Sequence, residues 1–445
     1  MRHSPSIRFR LQLRSFLRLS WITSVAVLAG LAGAWFARLC DVAMKAHERL
    51  YALSPWATLA LLPVSFTLGA WITRRFAPES AGSGIPQVIA AAEQRWRGRW
   101  GGQRVTLRTA VWKVAMTAGL LLCGASIGRE GPTVQVTAGI MRSLTRGLKG
   151  GAGRRAMIVA GGAAGIAAAF NTPIAGVVFA LEELARAFER RTHTTVILVV
   201  VIAGFTSFAV QGDYAYFGEL RGAALGSAWL AAAPIGLVGG LAGGLFSRAL
   251  VELIGPDARN PAARLRQARP VLFALICGLV AAGAAVASGG ATFGAGYDEA
   301  KALLQGHAGR GLNLAGWKWV ASLAASASGA PGGIFAPSLT VGAGIGAAFM
   351  HLGLWVGGRD AVVLGMAAYL AGVVQAPLTS AVILMEMTRE PGLVGPLMLA
   401  ALLARWASSL VCPEPLYHVL SRAWRPPEVK AAVVVQADLG GDPAQ

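Results

Sequence analysis

The chain consists largely of apolar runs that are long enough to cross a lipid bilayer. Of its 445 residues, 55% are hydrophobic and only 14% are charged, whereas soluble domains carry about a quarter charged residues. A helix needs about 20 apolar residues to span the hydrocarbon core. The sequence therefore predicts an all-α polytopic membrane protein. The clearest runs are residues 21–39, 56–72, 111–127, 156–181, 195–210, 271–288, 337–356 and 393–412.

The net charge of +19 is arranged in short basic clusters between these runs. Lysine and arginine next to spans are enriched in cytoplasmic loops, so we expect both termini in the cytoplasm and no nucleic-acid partner. Residues 1–20 lack a small-residue cleavage pattern, which predicts a retained cytoplasmic segment and not a signal peptide. The clusters are residues 2–18, 95–108, 142–155, 186–191, 259–269 and 422–430.

One apolar stretch is interrupted by two charges in the segment Gly128-Arg129-Glu130-Gly131-Pro132. A charge at bilayer depth costs about 2.5 to 3.5 kcal/mol even on lenient scales, so it is normally kept for function. Glycine and proline disfavour a helix interior, but proline suits a first turn, and we expect a new helix to begin at Pro132. Free N–H groups at a broken helix must face protein or an aqueous cavity. The segment therefore predicts an anion site beside Glu130.

An internal repeat relates the two halves of the chain. Displacement by 204 residues superposes residues 161–184 on 365–388. Two matches, Pro173 with Pro377 and Glu182 with Glu386, are not coincidences among small residues. The same displacement carries the segment 128–132 onto 332–336, so each half contains a broken segment. This pattern indicates a transporter built from structural repeats, with its site where they meet.

Three interrupted segments are more specific together than any one alone: GSGIP at 82–86, GREGP at 128–132 and GGIFAP at 332–337. In order and spacing they resemble the signature motifs of the CLC chloride channel and transporter family, over residues 21–424. The resemblance implies roughly eighteen helical segments in two halves of inverted topology, and a homodimer in which each subunit holds its own pore. The expected divisions are a basic segment 1–20, a membrane domain 21–424 with halves at 21–210 and 226–424, and a tail 425–445.

The resemblance also implies roles for individual residues. The family's anion sites lie where several helix starts converge, and each such start carries about half a positive charge. Two hydroxyls and two backbone N–H groups would hold the central chloride, those of Ser83, Tyr417, Ile334 and Phe335. Glu130 matches the gating glutamate, which occupies an anion position when ionised and moves aside when protonated. Gly128, Arg129 and Gly131 of the same motif would also contribute to chloride binding. For Arg129, a structural role is an equal alternative.

A second acid, Glu183, bears on the choice between exchange and passive conduction. It ends an apolar helix beside basic residues 186–191, which without the family context would be an ordinary solvated helix end. The family's exchangers carry a glutamate at this position, whereas many of its channels do not. The resemblance therefore implies a chloride/proton antiporter with Glu183 as internal proton relay, and a voltage- or pH-gated passive chloride channel is the alternative. Glu182 is expected to hydrate or shape the intracellular entrance.

Substrate choice is implied by Ser83, Pro132 and Tyr417, which follow the chloride pattern. Nitrate-favouring members have proline in place of the serine, and fluoride exporters alter the glutamate motif's proline and lack the tyrosine. Lys113 is expected to be a buried structural cation, and the sequence does not identify its partner. We expect a plasma-membrane protein, in the inner membrane if the source is bacterial.

The remaining residues exclude several other functions. The four cysteines and six histidines show no metal-ligand spacing, so neither a metal nor a cofactor is predicted. An intramembrane hydrolase would need a nucleophile and a base, but His307, His351 and His418 have no partner motif. A structural scaffold would not retain charges at membrane depth. The sequence therefore predicts a transporter and not an enzyme.

Overall fold

The computed structural model describes residues 5–93, 104–147, 151–184, 193–212, 216–218, 225–306, 311–351 and 358–425. These residues form eighteen α-helices and no strand, which confirms the predicted all-α fold. The helices are α1 (Pro5–Leu53), α2 (Pro55–Phe76), α3 (Ile85–Glu93), α4 (Leu107–Leu122), α5 (Glu130–Leu144), α6 (Gly151–Phe170), α7 (Pro173–Phe179), α8 (His193–Gln211), α9 (Leu225–Ile254), α10 (Pro261–Ala268), α11 (Pro270–Ala287), α12 (Tyr297–Leu304), α13 (Gly311–Ala327), α14 (Phe335–His351), α15 (Gly358–Val374), α16 (Pro377–Thr388), α17 (Val394–Val411) and α18 (Leu416–Ser421).

Six segments in the described part of the chain are long and apolar enough to cross a membrane. The first belongs to α1, which has 49 residues and is therefore much longer than the roughly 20 that a span needs. The expected boundary between residues 20 and 21 consequently falls inside a continuous helix. The six segments are Gln12–Leu53, Pro55–Phe76, Thr194–Gln211, Gly226–Ile254, Pro270–Ala287 and Pro391–Val411.

The predicted break around residues 128–132 is present, because α4 ends at Leu122 and α5 begins at Glu130. The helix starts before Pro132, which corrects the expected start. The reason is local, since the Thr133 N–H donates to the Arg129 carbonyl at 2.8 Å and closes a first helical turn that contains Glu130, Gly131 and Pro132.

The two halves repeat the same sequence of elements. In each, a long helix (α6 or α15) ends at a residue with a left-handed backbone and is followed by a proline-initiated helix (α7 or α16). Those residues, Asn171 and Gln375, both have φ of 60°. Helix α5 packs on α6 as α14 packs on α15. The repeat inferred from sequence is therefore visible in the structure. Helix α8 ends at Gln211 and α9 begins at Leu225, near the division between the predicted halves, which stays a prediction.

Small residues let the helices approach closely. A Cβ added to Gly240 on α9 would lie 2.3 Å from the Ala404 carbonyl oxygen on α17, and one added to Gly346 on α14 would lie 2.1 Å from the Ala361 carbonyl oxygen on α15. Such contacts replace the hydrophobic effect as the source of helix association in lipid.

Candidate functional site

The three sequence motifs meet through their backbones. Gly128 and Gly333 form an antiparallel bridge in which the Gly128 N–H donates at 2.7 Å and the Gly333 N–H donates back at 2.8 Å. The Gly332 N–H donates to the Gly82 carbonyl at 3.1 Å. The motifs that precede α3, α5 and α14 therefore form one cluster, and the positive ends of three helices point into the same region.

Glycine is required where these segments touch. A Cβ added to Gly131 would lie 2.2 Å from the Ser83 hydroxyl oxygen, so a larger residue would displace the serine. Gly84 has a φ of +102°, a left-handed conformation that L side chains rarely adopt. Because Gly128 uses its N–H in the bridge, that N–H is not available to an anion, and Gly128 contributes close backbone approach instead.

Lys113 fixes the loop that carries Ser83. Its side chain is fully buried, and its ammonium donates to the carbonyls of Ser80 and Gly82, both at 2.7 Å. In the second half, the equally buried Lys318 donates to the carbonyls of Thr292 and Gly294 at 3.0 and 2.9 Å. Buried charge is tolerated only when it is bonded in this way. The structure thus supplies the partners of Lys113 that the sequence did not.

Glu130 lies at the start of α14, although it belongs to α5. Its carboxylate is completely buried. One oxygen accepts a hydrogen bond of 2.5 Å from the Tyr297 hydroxyl, and the other faces the Ala336 N–H at 3.4 Å. The first N–H groups of a helix have no partner within it, so this carboxylate takes a place that suits an anion.

The hydroxyls of Ser83 and Tyr417 lie on the other side of the cluster. Both oxygens are buried, and neither has a hydrogen-bond partner among the described residues. They line a cavity of about 300 Å³ together with Ile334 and Arg266. The Tyr417 ring is stacked on Phe335, with ring centres 6.1 Å apart and planes 9° apart. Two donors without partners at one cavity form a polar site that an anion could complete.

Arg129 is engaged elsewhere. Its side chain is 1% exposed, and one guanidinium nitrogen donates to the Ala37 carbonyl and to the Asp41 carboxylate, both at 2.5 Å. The other terminal nitrogen donates to the Tyr216 hydroxyl at 2.6 Å. These contacts are those of a structural ion pair, which favours the structural alternative for this residue. A direct part for Arg129 in anion binding stays a prediction.

The two adjacent glutamates that end the apolar helix have separate environments. Glu182 accepts hydrogen bonds from the N–H groups of Leu378 and Thr379 at 3.1 and 2.7 Å. Glu386 does the same for Ile174 and Ala175 at 3.2 and 2.7 Å. Each half therefore caps a helix of the other half. The Glu182 carboxylate therefore has a structural role, and the expectation that it hydrates or shapes the intracellular entrance stays a prediction.

Glu183 points elsewhere and is buried. One of its oxygens lies 3.8 Å from Nε2 of His418, and the Glu183 side chain is 2% exposed. It sits on a π-helical turn, Ala180–Leu184, that follows α7. Without the family context, Glu183 would be interpreted as a solvated helix end, and its burial argues against that interpretation.

Comparison with known proteins identifies the family. A sequence model described as voltage gated chloride channel matches residues 64–409. The chain belongs to this family. The H(+)/Cl(-) exchange transporter ClcA of Cronobacter sakazakii is 31% identical, with 88% of this chain and 87% of that relative covered. The protein of the same name from Yersinia pestis is 32% identical, with 92% and 88% covered.

Solved structures agree with this assignment. A slow cyanobacterial Cl-/H+ antiporter has a TM-score of 0.72 at 25% identity, with 91% of this chain and 97% of that chain covered. A CLC-type fluoride/proton antiporter has a TM-score of 0.75 at 20% identity, with 92% of this chain and 98% of that chain covered. At this identity, the comparison supports the fold only. The CLC resemblance inferred from the three motifs is confirmed.

Two side chains of this CLC protein that contact its candidate site were not predicted from sequence. Tyr297 begins α12 after Gly294 and Gly296, which have φ of +57° and +84°. The corresponding loop of the first half has Gly82 and Gly84 at +61° and +102°. A repeat search centred on that glycine spacing would have found Tyr297. His418 gave no such signal, because its carboxylate neighbours are distant in sequence.

Proposed function

We propose that this protein is an antiporter that exchanges chloride for protons across the membrane. The observation that carries the proposal is the buried carboxylate of Glu130, which lies against the start of α14 where three helix starts converge. An ionised carboxylate there competes with chloride for the same donors. When protonated it no longer resembles an anion, so one group responds to both ions.

Chloride binding would rest on neutral donors. Ser83 and Tyr417 supply hydroxyls, and the first turn of α14 at Ile334 and Phe335 supplies N–H groups. One helix start contributes only about 0.3 to 2 kcal/mol, and such weak binding allows fast release. The ammonium group of Lys113 near this site donates its hydrogen bonds to backbone carbonyls. It therefore does not bind the anion directly and does not slow its release.

Protons need a second acid, because a path lined by anion-binding donors repels them. Glu183 fits this role, since it is buried yet lies 3.8 Å from His418, which just precedes the basic cluster at residues 422–430 in the sequence. With Glu130 it provides the two carboxylates that coupled exchange requires. The names of the relatives, which are H(+)/Cl(-) exchange transporters, support exchange over a passive channel.

Flux measurements on sealed liposomes containing the purified protein test this proposal. An outward chloride gradient should drive protons inward against their own gradient, as recorded with chloride and pH electrodes. A protein that moves chloride without any proton movement would be a passive channel. Equal chloride flux in empty liposomes would exclude transport by the protein altogether.

The assembly and the location are proposed on the CLC resemblance. We expect a homodimer with one transport pathway in each subunit, in the plasma membrane or bacterial inner membrane, with both termini in the cytoplasm and no enzymatic activity. Large apolar side chains remain exposed on several helices, including Phe205, Leu378 and Trp406, and either lipid or a second subunit can cover them. Cross-linking in native membranes would test the dimer, and labelling of single cysteines introduced at the termini, from each side of the membrane, would test the topology.

A further inference from the structure

His418 lies between two carboxylates, one of which is partly exposed to water while the other is buried. It follows Tyr417 on α18, and its side chain is 11% exposed. Its Nδ1 is 3.8 Å from a carboxylate oxygen of Glu93 on α3, and its Nε2 is 3.8 Å from a carboxylate oxygen of Glu183. The two ring nitrogens thus face two different acids, which is the arrangement an imidazole needs to pass a proton through itself.

Glu93, His418 and Glu183 form a line of three side chains, and the exposed fraction of the side chain falls at each step along it. Glu93 is 33% exposed, His418 is 11% exposed and Glu183 is 2% exposed. The second oxygen of Glu93 accepts a hydrogen bond of 2.6 Å from Arg425. Arg425 therefore holds Glu93 at the surface with one oxygen directed toward His418. The line therefore connects water at the surface to the carboxylate of Glu183, which is itself almost completely buried.

This line is separate from the anion cavity. Tyr417 and Leu420 of α18 line the cavity with Ser83, but His418 is not among its lining residues. Consecutive side chains of one short helix therefore face different surroundings, one the cavity and the other the acids. A proton that enters by His418 does not have to cross the donors that favour anions.

We propose that His418 is the proton relay between cytoplasmic water and Glu183. The inference rests on the proposed exchange function and deepens it. Imidazole is suited to this step because its unperturbed pKa of about 6.5 lies close to the pH of cytoplasm. Chains of acids and histidines are a common form of proton path within membranes.

The step conserves charge and protons. Nδ1 accepts a proton from a hydronium ion at Glu93, which is left as water, and the N–H on Nε2 gives its proton to the Glu183 carboxylate. The imidazole is then neutral again in its other tautomer, and Glu183 is a carboxylic acid. Release of the Nδ1 proton and uptake at Nε2 runs the relay in reverse for the opposite direction of transport.

The distances between the imidazole nitrogens and the two carboxylates show that a small movement or a bridging water is needed for each proton transfer. Contacts of 3.8 Å exceed a normal hydrogen bond of about 2.7 to 3.2 Å, so a rotation of a carboxylate or one bridging water completes each transfer. Charged groups near the imidazole among the described residues are Glu93, Glu183 and, through Glu93, Arg425. Arg422 on the same side pairs with Glu414 instead.

Two substitutions test the relay in chloride-loaded liposomes with simultaneous chloride and proton recording. His418→Ala should lower the ratio of proton to chloride flux by about a hundredfold, the lower end of the effects for a lost acid–base group, while chloride flux continues. Added imidazole should restore proton flux in this variant. His418→Gln, which keeps a polar side chain of similar size but cannot relay a proton, should show the same loss.

A matched control and the wild type make the outcomes distinct. Glu414→Gln removes an exposed carboxylate at the same end of the molecule and should leave the flux ratio unchanged. If wild type exchanges both ions and His418→Gln keeps the full ratio, the relay is wrong and the exchange function stands. If wild type moves no protons, the exchange function fails and the relay fails with it.

Discussion

The bond between Tyr297 and Glu130 makes a quantitative prediction about gating. The phenol donates at 2.5 Å to a carboxylate that is completely buried, while the second contact, from the Ala336 N–H, is longer at 3.4 Å. Tyr297 is therefore the principal donor that holds the carboxylate at the start of α14. Tyr297→Phe removes that donor and keeps the ring, whose neighbour Tyr216 lies 4.4 Å away between ring centres.

A hydrogen bond to a charged group contributes about 1.5 to 3 kcal/mol. Since about 1.4 kcal/mol corresponds to tenfold, the substitution should weaken the carboxylate's hold by about tenfold to 150-fold. Chloride competes with that carboxylate, so its apparent Kd should fall by the same range. Isothermal titration of the purified protein with chloride measures the change directly.

A double-mutant cycle separates this effect from general disturbance of the site. In a Glu130→Gln background there is no carboxylate to hold, and Tyr297→Phe should leave the chloride Kd unchanged. An equal decrease in Kd in both backgrounds would show that the phenol acts on the anion site itself. An unchanged Kd in the wild-type background would refute the holding role of Tyr297.

Four further substitutions have specific expected outcomes. Glu130→Gln mimics the protonated acid and should pass chloride with proton flux reduced at least about tenfold; retained coupling in liposomes would contradict the gate. Glu183→Gln should keep passive chloride flux and lose proton flux by a similar factor in the same assay. Ser83→Pro removes one hydrogen-bond donor, so anion competition should shift toward nitrate by about tenfold; unchanged competition would remove Ser83 from the site. Lys113→Met leaves two carbonyls without their donor and should lower stability by about 1 to 3 kcal/mol in thermal unfolding, with Lys318→Met as its counterpart in the other half.

The helical fold could be predicted because its signals are local. Apolar runs of membrane length give the helices, and glycine and proline mark where they break, as at residues 128–132. The structure starts α5 two residues earlier than the sequence predicts, because the first helical turn already contains Pro132 and begins at Glu130. Propensity describes where proline is favoured, but the first hydrogen bond decides where the helix begins.

Contacts between distant segments could not be predicted in the same way. Glu182 and Glu386 were recognised as repeat partners, yet the sequence did not show that each caps a helix of the other half. The environment of Arg129 depends on Asp41 and Tyr216, which come from other helices. Such pairings depend on how helices are arranged around each other, and periodicity along one segment carries no information about that arrangement.

The repeat also explains how a symmetric scaffold yields a pathway with unlike ends. Lys113 and Lys318 hold corresponding loops by the same carbonyl bonds, and each loop leads into a short helix through two left-handed glycines. The first loop presents the Ser83 hydroxyl to the cavity, whereas the second presents Tyr297 to Glu130. In the proposed exchange mechanism, the first end would bind chloride with a neutral donor and the second would be closed by an acid. Coupling needs this difference, because two identical ends would bind anions equally and give protonation no means to favour one side.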